Sequence, residues 1–71
     1  MDDEKLLVIF GLNLKIQRLK RKISQETLAE ALSLSSVYIS NVESGKHNIS
    51  LTNAIKFAKF FDVPLEALLK E

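Results

Sequence analysis

The side chains that most often carry catalysis or metal binding are nearly absent from this 71-residue chain. There is no cysteine, and His47 is the only histidine. Thiolate metal sites and disulfides are therefore excluded, and neither a histidine-based metal cluster nor a Ser/His/Asp triad can be assembled. We expect no enzymatic activity, no metal, no cofactor and no small-molecule ligand.

Charged residues are segregated along the chain, although the formal net charge is only +1. Residues 1–22 carry six bases against three acids, whereas residues 23–43 carry three acids and no base. Residues 44–60 carry three lysines and no acid. Local basic patches of this kind can bind polyanions despite a weak net charge. The same lysines would serve equally well as a solvated surface, so charge alone leaves both interpretations open.

Between the basic segments lies a stretch with neither Lys nor Arg, SSVYISNVES, from Ser35 to Ser44. Its first serines suit a helix N-cap, and Gly45 follows at a position suited to a left-handed residue after the helix. Glu43 is its only charged side chain. The chemistry that this stretch offers is therefore hydrogen bonding and apolar contact rather than charge.

The elements that would position this stretch are predicted to be helices. The first helix should begin at the acids near Asp3 and end at the bases near Lys20, as the helix dipole favours. It carries two apolar stripes at helical spacing, namely Leu7, Phe10 and Leu14 on one side and Ile9, Leu12, Ile16 and Leu19 on the other. Two stripes predict either a helix enclosed by the domain or a second face that meets a partner.

Four shorter helices are predicted to follow. Ser24 and Ser50 are suitable N-caps for the second and fourth helices, and Pro64 suits the first position of the fifth. The inward face of the fourth helix is predicted to consist of Leu51, Ala54, Ile55 and Ala58. Residues 1–71 are thus expected to form one compact all-α domain of five helices, without linker or repeat.

The second and third helices, with the tight turn between them, form a predicted helix-turn-helix over about residues 24–45. In DNA-binding proteins with this motif, the first helix braces across the DNA backbone and the second lies in the major groove. Two short helices joined by a tight turn also occur in folds that never bind DNA. The pattern alone therefore leaves both possibilities open.

The run SQETLAEALSLSSVYISNVESGKHNISL resembles the Cro/cI-type (XRE-like) helix-turn-helix DNA-binding family of phage repressors and small bacterial regulators. The similarity extends from about Phe10 through FAKFFDVPLEALL. The features that carry it are Ser-Gln opening helix two, Leu28-Ala29, Ile39-Ser40, Glu43, Gly45-Lys46 and Asn48. The size, the YIS-containing helix and the HNIS loop are most similar to the controller proteins of restriction-modification systems. Immunity regulators and antitoxins share the same scaffold.

The resemblance implies a phage-repressor-like DNA-binding fold. In that fold, helix three reads base edges through its exposed start and through the position one turn later. The residues are Ser36, Val37, Tyr38 and Asn41. Charge is not required there, since phosphate contacts supply much of the affinity and base contacts supply the specificity. Val37 suits a thymine methyl group and Asn41 suits adenine, so we expect an A/T-rich half-site. Val37 would alternatively be a core residue, and Tyr38 fits packing, with its hydroxyl near phosphate, better than base reading.

Phosphate contacts are implied on both sides of helix three. One is Gln25 at the start of helix two, where free backbone N–H groups favour an anion. The others follow helix three: Ser44, Lys46, His47 and Asn48. An ordinary exposed loop histidine is an equally good interpretation of His47. The negative charge of Glu43 is expected to be neutralised by a structural ion pair with Arg18.

Two positions depart from the family pattern, because Lys22 and Ser33 stand where glycine is frequent. If either residue must be left-handed, its side chain costs about 1 kcal/mol. This departure bears on local stability rather than on the fold.

Dimerisation is expected within residues 49–71. With the inward face of helix four assigned as above, Phe57 and Phe60 point outward, and Leu65 and Leu69 lie nearby in sequence. Such an apolar patch commonly marks an interface, and family members usually bind half-sites about 34 Å apart as twofold dimers. The alternative is that helix five or helix one covers the phenylalanines.

The predicted function is regulation of transcription by a cytoplasmic homodimer that binds palindromic operators in double-stranded DNA. As a restriction-modification controller, it would activate and then repress its own promoter, with RNA polymerase as a further partner. The alternative is an antitoxin-type or other protein-interaction module that uses the apolar stripe of helix one. No membrane association is expected, because the apolar run Leu6 to Phe10 is too short to cross a bilayer.

Overall fold

Four α-helices and one short 3-10 helix make up the fold in the computed structural model, which describes residues 3–71. The α-helices are α1 (Asp3–Lys20), α2 (Gln25–Ala31), α3 (Ser36–Glu43) and α4 (Leu51–Phe61), and the 3-10 helix is Leu65–Leu69. No strand occurs within residues 3–71. The all-α prediction is confirmed, and the fifth predicted helix is a single 3-10 segment that begins after Pro64.

Serine side chains begin three of the helices. The hydroxyl oxygens of Ser24, Ser35 and Ser50 each accept a hydrogen bond from the backbone N–H three residues later, at 3.0–3.1 Å. Each bond satisfies one of the donors that the first turn of a helix leaves unpaired. The predicted N-caps are therefore confirmed, and they determine where α2, α3 and α4 begin.

A left-handed residue follows each of the four α-helices. Gly45 has φ 75°, as predicted, and the two positions where glycine is frequent, Lys22 and Ser33, have φ 57° and 58°. Asp62 at the end of α4 has φ 56°. The backbone of Lys22, Ser33 and Asp62 is thus in a conformation that is sterically unfavourable for residues other than glycine. The cost of about 1 kcal/mol expected for a left-handed Lys22 or Ser33 therefore applies to this chain.

The buried face of α1 positions α3. Phe10 and Leu14 are buried in the core, and Arg18 lies one turn further along the same face. Gly11 allows a close approach of the two helices, because a Cβ atom there would overlap the carbonyl oxygen of Val42 and lie 2.8 Å from that of Glu43. The backbone of α3 is thus seated directly on α1.

The second apolar stripe of α1 faces solvent. We call the exposed residues Val8, Leu12, Ile16 and Leu19 the helix-one stripe; between 39% and 55% of each residue is exposed. Ile9, which was predicted to share this side, is half-buried. Of the two interpretations of the double pattern, enclosure of α1 by the domain is wrong, since Leu12, Ile16 and Leu19 of the second stripe are exposed.

The predicted inward face of α4 is wrong at half of its positions. Phe57 is fully buried, which contradicts its predicted outward orientation, whereas Leu51 is 68% exposed and Ile55 is 38% exposed. Phe60 is half-buried. The buried face consists of Ala54, Phe57, Ala58 and Phe61. This face has the same helical spacing as the predicted one and shares both alanines with it. It buries two phenylalanine rings in place of Leu51 and Ile55, which removes more apolar surface from water than the predicted face would.

The core joins all five elements. It consists of Phe10, Leu14, Leu28, Ala29, Ile39, Val42, Ala54, Phe57, Ala58, Phe61 and Leu68. Among residues 3–71, none of the helices combines the length and the apolar character that a membrane span needs. Nor does this part of the chain bring three or more potential metal ligands together.

Candidate nucleic-acid interface

The first turn of α3 presents an apolar side chain to solvent. Val37 is 68% exposed, so the core interpretation of this residue is wrong. The preceding Ser36 is half-buried, and the cap Ser35 uses its hydroxyl oxygen to accept from the N–H of Tyr38. The capping bond leaves Val37 projecting from the start of a helix whose inward residues, Ile39 and Val42, are buried.

Polar side chains lie one turn beyond Val37 on the same side of α3. Asn41 is half-buried and Ser40 is exposed, and both occupy neighbouring positions at i+4 and i+3 from Val37. The predicted readers Val37 and Asn41 therefore share one face. Ser40 was not predicted as part of this face, although its i+3 spacing from Val37 in the sequence is the signal that would have found it. The face carries hydroxyl, amide and methyl groups and no charge.

Tyr38 connects α3 to the start of α4 instead of joining that face. Its hydroxyl oxygen accepts a hydrogen bond of 3.0 Å from the Asn53 side-chain amide. Its ring packs edge-on against the imidazole of His47, with 5.0 Å between ring centroids. The half-buried ring thus braces α3 against α4 and packs against the loop that carries His47.

The loop after α3 places exposed polar and basic groups beside the helix. Lys46, His47 and Asn48 are all exposed. The backbone N–H of Lys46 and the hydroxyl of Ser44 both donate to the Asn41 carbonyl oxygen, at 3.0 and 3.1 Å. These two bonds close the end of α3 and tie the backbone of Lys46 to that of Asn41.

The carboxylate of Glu43 is buried and paired with Arg18, as predicted. Arg18 Nε lies 2.7 Å from Glu43 Oε2 and Nη2 lies 3.0 Å from Oε1, which is the bidentate geometry that guanidinium favours. Arg18 Nη1 also donates to the Ile23 carbonyl oxygen at 2.9 Å. The hydrogen bonds to Glu43 raise the pKa of Arg18 despite the opposing effect of burial. The pair ties α1 to α3.

Gln25 belongs to the same buried cluster. Its side-chain amide donates to Glu43 Oε1 at 3.0 Å, so the carboxylate accepts from both Arg18 and Gln25. Within residues 3–71, every buried side-chain nitrogen and oxygen has a hydrogen-bond partner. The amide has a second N–H group, and the predicted phosphate contact of Gln25, like those of the loop residues, stays a prediction.

Among the basic residues at the end of α1, Arg21 makes contacts within the domain. Arg21 donates to the Phe61 carbonyl oxygen at 2.6 Å, and its guanidinium carbon lies 5.5 Å from the centroid of the Phe61 ring. It therefore links the ends of α1 and α4 through a hydrogen bond and a cation–π contact. Lys20 and Lys22 are exposed.

Comparison with known proteins agrees with this geometry. A profile of the helix-turn-helix family matches residues 14–68. The control protein C.MunI from a Mycoplasma species is 35% identical over 63 residues, which cover 87% of this chain and 85% of that protein. The structure of the restriction-modification controller protein C.AhdI from Aeromonas hydrophila matches at a TM-score of 0.81 and 40% identity, over 87% of this chain and 94% of that one. A hypothetical transcription factor from Neisseria gives 0.87 and 33% identity, over 99% and 80%.

The family profile and the similar controller structure identify the capped helix pair with its tight turn as a DNA-binding helix-turn-helix domain, a non-enzymatic class of transcription regulator. The chain belongs to the XRE-like helix-turn-helix family, and restriction-modification control proteins are among its relatives.

Proposed function

We propose that this protein regulates transcription by binding a palindromic DNA operator as a homodimer, with α3 of each protomer in the major groove. The observation that carries the proposal is the uncharged face of α3, on which Val37 is 68% exposed and Asn41 lies one turn away. Val37 would pack on a thymine methyl group, and Asn41 would pair with the acceptor and donor of adenine. The half-site would accordingly be rich in A and T at the steps that the helix contacts.

Affinity would come from the groups that flank α3. Lys46 would neutralise a phosphate, while His47, Asn48 and Ser44 would add hydrogen bonds to the DNA backbone. The buried pair of Arg18 with Glu43 supports this arrangement, because it removes the one negative charge that α3 would otherwise bring near the phosphates.

The biological role that we propose is control of a restriction-modification system. Its support is the similarity to the control protein C.MunI and to the restriction-modification controller protein C.AhdI. The protein would activate its own promoter when it is bound just upstream and contacts RNA polymerase. It would repress the promoter when it occupies a site that excludes the polymerase.

The dimer interface that we propose lies within residues 49–71 and keeps Leu65 and Leu69 of the predicted set, but not Phe57. Phe57 is buried in its own protomer and is not available. An open groove of about 270 Å³ lies between α1, α4 and the 3-10 helix, and its lining includes the exposed Leu51 and Leu69 and the half-buried Leu65. We call these three residues, together with the exposed Ile55 one turn after Leu51 on α4, the helix-four patch. Phe60, which is half-buried, remains a candidate at its margin.

Selection of bound duplexes from a random DNA pool at two salt concentrations tests the proposal. We expect enrichment of a palindromic, A/T-rich motif, with half-sites about one helical turn apart and with binding that weakens as salt rises. Asn41→Ala should lose the motif. If no sequence is enriched and all duplexes bind equally weakly, the proposed reading of bases by α3 is wrong.

A second candidate function is favoured by the exposed helix-one stripe, since an antitoxin-type module would use such a face to bind a partner protein. It predicts a stoichiometric protein partner that is lost in Leu12→Glu and retained in Asn41→Ala. The DNA-binding proposal predicts that binding of the enriched duplex is lost in Asn41→Ala and retained in Leu12→Glu.

A further inference from the structure

The helix-one stripe has the spacing of a helix-pairing seam. Steps of four, three and four residues lead from Val8 to Leu12, Lys15 and Leu19. Alternating steps of this length keep side chains on the one side of a helix that faces a partner helix. Ile16 widens the stripe. The core and α3 lie against other sides of α1. Val8, at the margin of the seam, also packs against the Gly45 backbone, but it stays 53% exposed, and no contact within the protomer covers the rest of the seam.

The charges at the two ends of α1 are opposite in sign. Asp3 and Glu4 lie in the first turn, and the charge of the adjacent Lys5 is offset by its ion pair with Glu71 at 3.2 Å. Lys20 ends the helix and Lys22 follows it. Two copies of α1 in parallel would place acids beside acids and bases beside bases. An antiparallel pair would place each acidic start beside a basic end, and it would also oppose the helix dipoles favourably.

We propose that the helix-one stripe is a self-association surface that pairs antiparallel with the stripe of a second copy of this chain. Val8 and Leu19 lie about 8 Å on either side of the middle of the stripe, at 1.5 Å per residue. A twofold axis through that midpoint sets Val8 against the partner's Leu19 and Leu12 against the partner's Lys15 and Ile16. The aliphatic part of Lys15 can cover Leu12 while its ammonium group stays in water.

This surface is separate from the helix-four patch, because its residues lie on the side of α1 that faces away from the core. The two surfaces together would join dimers into dimers of dimers. A single helix pair buries little area, so this step should be weak and should require high protein concentration. The inference does not depend on which DNA sequence the protein binds.

Site-directed crosslinking tests the pairing on a clean background, because the chain contains no cysteine. Val8→Cys and Leu19→Cys proteins are treated with a short bismaleimide, separately and as an equal mixture. Their different masses identify which chains are joined. We expect the mixed crosslink to exceed either self-crosslink several-fold. Glu30→Cys, at an exposed position on α2, is the control and should give only collisional crosslinking.

Sedimentation of the full chain supplies the second measurement. The wild type should form a species larger than the dimer at high concentration, and Leu12→Glu should abolish that species and leave the dimer and the far-ultraviolet spectrum unchanged. The inference is overturned if the crosslink between Val8→Cys and Leu19→Cys chains does not exceed the Glu30→Cys control, or if crosslinks between two Val8→Cys chains dominate. It is also overturned if Leu12→Glu leaves the larger species intact. Binding of the enriched duplex by Leu12→Glu is measured in parallel, so that a failure of the DNA-binding proposal is recognised separately.

Discussion

Removing the carboxylate of Glu43 should destabilise the domain by about 3–5 kcal/mol. Glu43→Gln leaves the Arg18 guanidinium without a counter-ion, although only 10% of the Arg18 side chain is exposed. At about 0.05–0.15 kcal/mol per residue, the whole domain has a stability of roughly 4–11 kcal/mol. The substitution would therefore remove a large part of the free energy of unfolding.

Urea unfolding followed by circular dichroism measures this loss in a double-mutant cycle with Arg18→Met. Each single variant should lose several kcal/mol, and the double variant should recover most of the loss, because no unpaired charge remains buried. The exposed pair of Lys5 and Glu71, with 3.2 Å between charged atoms and side chains 60% and 67% exposed, provides the control. Lys5→Met should change stability by less than about 0.5 kcal/mol. Single losses below about 1 kcal/mol, or strict additivity, would refute this account of how α3 is held.

Three further predictions concern the backbone. Gly11→Ala should cost about 3 kcal/mol, because the new Cβ would overlap the carbonyl oxygen of Val42; an unchanged urea midpoint would show that α1 and α3 are not so closely packed. Ser33→Gly should raise the free energy of unfolding by about 0.5–1 kcal/mol, since glycine accepts φ 58° without steric cost, and a lowered midpoint would contradict this. Ser35→Ala should cost about 1 kcal/mol by removing the cap of α3, whereas Ser40→Ala, exposed and outside any cap, should stay within about 0.5 kcal/mol in the same assay.

Features with a local chemical cause were predictable from the sequence. The serine caps and the left-handed Gly45 follow from short-range hydrogen bonding and sterics. The ion pair of Arg18 with Glu43 joins residues distant in sequence and was predicted from the family resemblance alone; its bidentate geometry was not predicted. These predictions are confirmed. They also define the start and the support of α3, which is why its exposed face could be outlined in advance.

Features that depend on how helices approach one another were not predictable in this way. On α4, the predicted and the observed buried faces both contain Ala54 and Ala58, and both have helical spacing. Periodicity therefore does not decide whether Leu51 or Phe57 is buried. Packing against the other elements decides it, and Phe57 is the buried residue. The close approach at Gly11 and the bond of Tyr38 to Asn53 are likewise contacts between residues distant in sequence. Single-sequence patterns carry no record of such contacts.

The central claim is that a neutral helix reads the bases while the flanking groups hold the phosphates. Its most direct test is the salt dependence of binding to the enriched duplex and to a scrambled duplex, measured by fluorescence anisotropy for wild type, Asn41→Ala and Lys46→Ala. Asn41→Ala should reduce the preference for the enriched duplex by about 1–3 kcal/mol and keep the wild-type salt slope. Lys46→Ala should weaken binding to both duplexes alike and lower the salt slope by about one unit per protomer. If instead Asn41→Ala keeps the full preference, or Lys46→Ala removes it without changing the slope, the assignment of base reading to α3 and phosphate binding to its flanks is contradicted.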